Sequence, residues 1–198
     1  MAVSTGQIKQ LRDMTGISMM QCKKALEDAN GDIGGALVYL KKKGIEIAAK
    51  KSERELGSGV IQSYIHGNGT IGAMVELDCE TDFVARNEEF KQLAYDLAMH
   101  VAAVNPVYLN VNKIGEDVLN EVKQMFTKEV SEMNKPDEIK QKVLQGKVDT
   151  YFSERALLSQ FFVKNPGETI DELIKGMIQK FGEKMEIRRF IRFSLLDR

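Results

Sequence analysis

Tryptophan is missing from the 198 residues, proline occurs three times, and cysteine and histidine occur twice each. Each scarcity removes a class of protein. Cys22 and Cys79 stand far apart with no C-x-x-C pairing, and His66 and His100 are too few to complete a zinc set. No metal and no cofactor is therefore expected, and a reducing compartment follows. Neither charge dominates: Lys and Arg number 28 against 29 Asp and Glu, a formal net charge of -1. The bulk attraction to phosphate backbones on which nucleic-acid binders depend is missing, so no direct nucleic-acid partner is expected. No apolar run approaches the roughly 20 residues of a membrane span. Met1-Ala2-Val3-Ser4-Thr5 shows neither an apolar leader core nor an Arg-rich transit pattern, and the expected location is the cytoplasm, with no membrane partner. Neither a G-x-x-x-x-G-K-[ST] loop nor a G-x-G-x-x-G run occurs, so nothing in the chain needs to hold a nucleotide.

What is present is enough apolar residue, 43%, for a real core, in a length that fits one large domain or a small one joined to a larger one. Ser4-Thr5-Gly6-Gln7 reads as a capping box opening a short helix with Ile8, Leu11 and Met14 spaced three apart, ended by Thr15-Gly16. Ser18 caps a second helix presenting Cys22, Ala25, Leu26 and Ala29, which Asn30-Gly31 stops. Asp32 caps a third carrying Ile33, Ala36, Leu37 and Leu40, closed by Gly44. Three short helices in about 45 residues make a small bundle that leans on a neighbour for stability. The Lys-rich stretch from Gly44 to Gly59 reads as a helical tail running into a hinge.

Two strands follow. Val60 to Ile65 is rich in β-formers, Ile71, Ala73, Val75 and Leu77 alternate as a half-buried strand requires, and His66-Gly67-Asn68-Gly69 between them signals an antiparallel hairpin. A helix over about 87–104 carries Phe90, Leu93, Ala94, Leu97, Ala98, Val101 and Ala102 at helical spacing. Asn105-Pro106 ends it, and His100 on it reads as a structural histidine. Helices near 118–133 and 137–161 come next, with Leu119, Val122, Phe126 and Val130 as packing surface. Asn165-Pro166-Gly167 breaks the chain. Thr169 with Glu172 then caps a helix presenting Ile170, Leu173, Ile174, Met177, Ile178 and Phe181, stopped at Gly182. The closing segment 185–196 alternates Met185, Ile187, Ile191 and Phe193 against Glu186, Arg188 and Arg192, a third strand. The expected fold is α+β: a three-helix module over residues 1–54, then, over 55–198, a core of a three-stranded antiparallel sheet packed with helices.

The stretch on which the chain centres is Glu76-Leu77-Asp78-Cys79-Glu80-Thr81-Asp82-Phe83-Val84-Ala85-Arg86-Asn87. It leaves an apolar strand, passes two good helix N-caps in Thr81 and Asp82, and reaches Phe83 as a first helical turn begins. Phe83 there is either a core anchor or an exposed wedge. As a wedge, flanked by Glu76, Asp78, Glu80 and Asp82 and by free helix N–H groups, it is suited to disturbing a partner's metal and phosphate site.

Cys79 to Asn87 closely resembles the signature of the elongation factor Ts family, the nucleotide exchange factors of elongation factor Tu. Leu11-Arg12-Asp13-Met14-Thr15-Gly16 through Met19-Met20-Gln21-Cys22-Lys23-Lys24-Ala25-Leu26, with Gly31-Asp32, is similar to the same family's N-terminal domain, and Ile187 to Phe193 resembles its closing strand. The resemblance implies a fold like ubiquitin-associated (UBA) modules for the first domain, which docks on elongation factor Tu through the turn between its first two helices. Leu11, Arg12, Met19, Met20 and Lys23 are then the candidate contacts; a Met-Met pair is deformable apolar surface and Lys23 adds orientation. A Tyr-x-His-Gly turn in a second core copy of longer members touches the partner, so Tyr64, His66 and Gly67 match a further contact. This chain is similar to the short form with one core copy, which implies a homodimer, since a second grip must come from another protomer. The implied exchange wedge is Thr81, Asp82, Phe83 and Val84, pushed in beside the partner's magnesium site so that GDP leaves and GTP can rebind. No bond is made or broken, so the protein is expected not to be an enzyme. Asp78 stands where members commonly have Asn and adds a negative charge near the wedge.

Two other functional classes fit these residues poorly. A thiol hydrolase built on Cys79 needs His66 or His100 against the thiol, whereas Cys79 reads as the end of a buried strand. An RNA adaptor needs a basic face with stacking aromatics, whereas Glu76 to Asp96 holds two basic against seven acidic residues.

Overall fold

The computed structural model describes residues 3–197. Among them the chain divides into two units: one comprises the chain up to Gln62, with Val75–Tyr95 and Asp171–Arg188, and the other Ser63–Met74, Asp96–Ile170 and the chain from Arg189 on. The expected α+β architecture is present, with a three-stranded antiparallel sheet packed with helices.

In the first unit, α1 (Thr5–Thr15), α2 (Met19–Asp28) and α3 (Ile33–Lys51) form the N-terminal bundle. Their starts follow the local chemistry. Ser4 Oγ accepts from the Gln7 N–H at 3.2 Å while Gln7 Oε1 accepts from the Ser4 N–H at 3.0 Å, and Asp32 accepts from Gly35 at 2.7 Å. Leu11, Cys22, Ala25, Leu26 and Ala36 are fully buried and Leu40 nearly so. Gly44 does not close α3, which runs on to Lys51. The reason lies in packing: Gly44 is buried, and a Cβ there would stand 3.1 Å from Gln179 Oε1 and 3.4 Å from the Lys175 carbonyl oxygen. A residue that costs about 1 kcal/mol inside a helix is kept because it lets a second backbone come close. That backbone belongs to α8 (Ile170–Phe181).

β1 (Ser58–His66) and β2 (Ile71–Cys79) make the expected hairpin, and the sheet order is β1-β2-β5, with β5 at Met185–Ser194. Ala73, Val75, Leu77 and Cys79 are buried on one face of β2, as alternation requires. α5 (Glu88–Val104) buries all seven residues of its expected stripe. β5 departs from the expected pattern: Met185 and Ile187 are buried, but Arg188 and Arg189 are both exposed, and the alternation slips by one residue. Arg192 turns inward to donate from Nε to the Ala102 carbonyl at 3.1 Å, leaving Ile191 and Phe193 exposed instead of on the core side.

The second unit contains the hairpin of α6 (Glu116–Ser131) and α7 (Asp137–Arg155) around Val122, Val148 and Phe152. Helix α7 ends at Arg155, short of the expected 161, because Ala156 is extended and bridges Tyr108, after which comes a single 3₁₀ turn, Leu157–Ser159. β3 (Phe161–Phe162) and β4 (Asn165–Thr169) then pair antiparallel, so Asn165-Pro166-Gly167 is a short strand rather than a plain break. His100 is structural, as expected. The Val163 N–H donates to its Nδ1 at 3.4 Å, so Nε2 carries the proton offered to Gln160 Oε1 at 3.1 Å. Burial lowers its pKa, against the Gln160 hydrogen bond.

Candidate functional site

β2 delivers the chain to the site with Cys79 wholly buried. Thr81, extended at φ -127°, caps the four-residue helix α4 (Asp82–Ala85) through Oγ1 and the Val84 N–H. In a helical turn two adjacent residues can face inward while their neighbours face out. Val84 and Ala85 are the inward pair, and Phe83 is 82% exposed. Thus the aromatic ring is outside, while Val84, expected in the wedge itself, is the buried peg that seats it. Asp82 is exposed and pairs with Arg86 at 2.9 Å. Asn87 Oδ1 then accepts from the Glu89 N–H at 2.8 Å and opens α5.

The corner is braced from elsewhere in the same unit. Glu183, after the end of α8, accepts from the Thr81 N–H at 3.1 Å and from Thr81 Oγ1 at 2.7 Å. Glu80 accepts from both the Arg54 guanidinium, at 3.1 and 3.2 Å, and the Lys184 N–H, while Lys184 Nζ donates to the Arg54 carbonyl at 3.0 Å. Burial pushes the Glu80 carboxyl up, but the Lys184 amide and Arg54 outweigh it and hold the pKa below the ordinary value. Arg54, Glu183 and Lys184 carried no local signal in the sequence, because an acidic residue following a helix stop has no spacing that points to a strand end 102 residues earlier.

Cys79 is no nucleophile in this setting. Burial and then the nearby Glu183 charge push its thiol up to about 11, and Sγ donates to the Thr81 carbonyl at 3.2 Å. Among the described residues no group of three or more His, Cys, Asp or Glu could hold a metal ion, and no helix is long and apolar enough to cross a membrane.

The N-terminal candidates divide. Met20 is 83% exposed, and Met19, Arg12 and Lys23 are exposed as well. Leu11 is fully buried in the three-helix core, so it cannot be a contact: its place on α1 faces α2 and α3. One lysine connects this region to the start of α5. Lys180 Nζ donates to Glu89 at 2.9 Å, and it lies so close to Gly16, in the α1–α2 turn, that a Cβ there would stand 2.6 Å from it. In the second unit, His66 is exposed at the hairpin tip with Nδ1 3.0 Å from the Tyr64 hydroxyl, and Gly67 and Gly69 take φ 54° and 84°.

Against known proteins, the family model described as elongation factor TS matches residues 39–195, and a UBA-like domain model matches residues 2–44. The chain is 45% identical over 193 residues to elongation factor Ts of Syntrophomonas wolfei subsp. wolfei, covering 98% of this chain and 90% of that one. It is 46% identical over 195 residues to elongation factor Ts of Syntrophus aciditrophicus, covering 98% and 97%. With elongation factor Ts of Rubrobacter xylanophilus the identity is 44% over 195 residues, covering 98% and 100%.

Proposed function

Because this chain belongs to the elongation factor Ts family, the nucleotide exchange factors for elongation factor Tu in translation, we propose that it drives GDP from that partner with the corner at Asp82 and Phe83. The observation that carries this is the combination at α4: Val84 and Ala85 buried, Phe83 facing out from the same turn. An exposed phenylalanine on a flexible loop would fold back onto apolar surface. One whose backbone is pegged and hydrogen-bonded can be pressed into another protein without first losing conformational entropy.

The wedge enters beside the partner's magnesium and phosphate site, the ring displacing packed side chains and Asp82 setting a negative charge where metal and diphosphate are coordinated. GDP then leaves and GTP rebinds. The chain acts by binding the nucleotide-free partner more tightly than the loaded one, and by linkage nucleotide weakens its grip by the same factor. Exchange makes and breaks no covalent bond, so no catalytic residue is required. Arg12, Met19, Met20 and Lys23 supply docking contacts on the module of residues 1–54, and His66 with Gly67 a further contact from the core of 55–198. The protein works in the cytoplasm, without nucleic acid or membrane.

It works as a homodimer. Ile65, Met74, Ile191 and Phe193 leave apolar side chains exposed on strands of the second unit, Phe193 at 67%, a composition suited to covering by a second copy. The test of the wedge is release of a fluorescent GDP from elongation factor Tu, stimulated by the native chain and by Phe83→Ala. The variant is expected to keep its fold and stimulate far less; an equal rate would reject the assignment.

A further inference from the structure

The polar ties around the corner point to a residue that acts on exchange without touching the partner. A hydrogen bond to an ionised carboxylate is stronger than one between neutral groups, and Glu183 spends both oxygens on one residue, taking the backbone N–H and the hydroxyl of Thr81. Thr81 is the N-cap of the turn that carries Phe83, so fixing its backbone and its χ1 together fixes the direction in which the next two residues leave. A four-residue helix cannot do this by itself, since nucleation is unfavourable and a single turn frays. The second strut, Arg54 to Glu80 to Lys184, holds the preceding residue to the same α8–β5 connection.

We infer that Glu183 is a positioning residue for nucleotide exchange, holding Thr81 so that the Phe83 ring is presented ready for insertion. The inference rests on Phe83 being the working group. Glu183 sets how well the wedge is aimed, whereas the N-terminal module sets how tightly the chain docks. Loss of Glu183 therefore lowers the maximal rate of stimulated release and leaves the half-saturating concentration in place.

The test uses the full chain in two assays, with Glu183→Ala, Glu183→Gln, Phe83→Ala and the double variant Phe83→Ala with Glu183→Ala. In GDP release from elongation factor Tu, Glu183→Ala is expected to lower the maximal rate about tenfold, as loss of a charge-assisted pair implies, with half-saturation moving less than about twofold. Glu183→Gln, which keeps one acceptor, falls between. In the Phe83→Ala background, Glu183→Ala is expected to add less than about twofold, because most of its effect passes through the ring. In amide hydrogen exchange, Glu183→Ala is expected to lose protection at residues 81–84 while the rest of the chain keeps its own, which excludes general unfolding. A native rate for Glu183→Ala beside a slow Phe83→Ala overturns the inference and leaves the wedge standing, as does an undiminished, about tenfold, further slowing by Glu183→Ala once the ring is gone. Lost protection with native exchange in both single variants would instead remove the wedge reading, and the role of Glu183 with it.

Discussion

Two exposed corners, Thr81–Ala85 and His66–Gly69, are made in opposite ways. At the first, two buried aliphatic residues sit under one exposed ring, and two carboxylates bind the approach to it. At the second, two glycines at positive φ make the turn, a Cβ at either would meet nothing within 4 Å, and the histidine's partner is Tyr64, two residues away. The difference separates a mount from a tip. An exposed side chain can push on a partner only if its own backbone resists, and resistance comes from contacts distant in sequence, which the first corner has.

That contrast sets the expected sizes. Phe83→Ala should slow maximal stimulated GDP release by about thirtyfold or more, the ~2 kcal/mol of an aromatic hot spot. His66→Ala should leave the maximal rate alone and raise the half-saturating concentration about threefold, a rim contact of ~0.5–1 kcal/mol. Equal losses in maximal rate would erase the distinction between the corners. Phe193→Asp then sharpens it. Sedimentation should show a dimer for the native chain and a monomer for this variant, since a buried charge without a partner is costly. If His66 grips from the second protomer, adding His66→Ala to this variant should weaken it no further.

The smallest effect is with acid. Around the wedge corner Glu80 lies below its ordinary value and Cys79 is at about 11, while burial and the neighbouring Glu76 charge raise the Asp78 carboxyl. The second unit buries His100 neutral, with a lowered pKa. Its unfolded form binds a proton near 6.5 while the folded form resists, so this contribution is complete above that value and is lost as pH falls through the folded pKa. Melting between pH 7.5 and 5.5 should show stability falling below about pH 6.5, by at most ~1.4 kcal/mol per unit from this one group. Replacing His100 by Gln should flatten the slope, and a slope unchanged in that variant would assign the acid sensitivity elsewhere.

Much of this was legible in the chain because it is local. Ser4, Ser18 and Asp32 each announced a helix start through a side chain that reaches only three residues on. The stripe on α5 and the alternation on β2 followed from the periods 3.6 and 2, and the order of residues around Phe83 carried the family's signature. Where expectation failed, a distant neighbour had changed the meaning of a local sign. Gly44 signals a stop but is a contact point for α8. Leu11 stands within a motif of surface contacts and is core. Asn165-Pro166-Gly167 has turn composition and opens β4, whose Asn165 and Thr169 pair with Phe162 and Phe161. Ile191 and Phe193 alternate as core residues do, and the slip at Arg188–Arg189 turns them outward.

By itself, then, the sequence determined the kind of protein this is: which segments coil and which extend, that a small helical module precedes an α+β core, and that the Cys79–Asn87 signature is that of the elongation factor Ts family. Caps, periods and signatures are properties of neighbouring residues. Only the tertiary structure decided that Phe83 faces water while Val84 does not, and that Glu183 and Arg54 hold the corner beneath it. Whether a phenylalanine is filling or tool depends on how the backbone that carries it is held, and the hydrogen bonds to Glu80 and Thr81 that hold this one come from Arg54, Glu183 and Lys184, which no spacing along the chain relates.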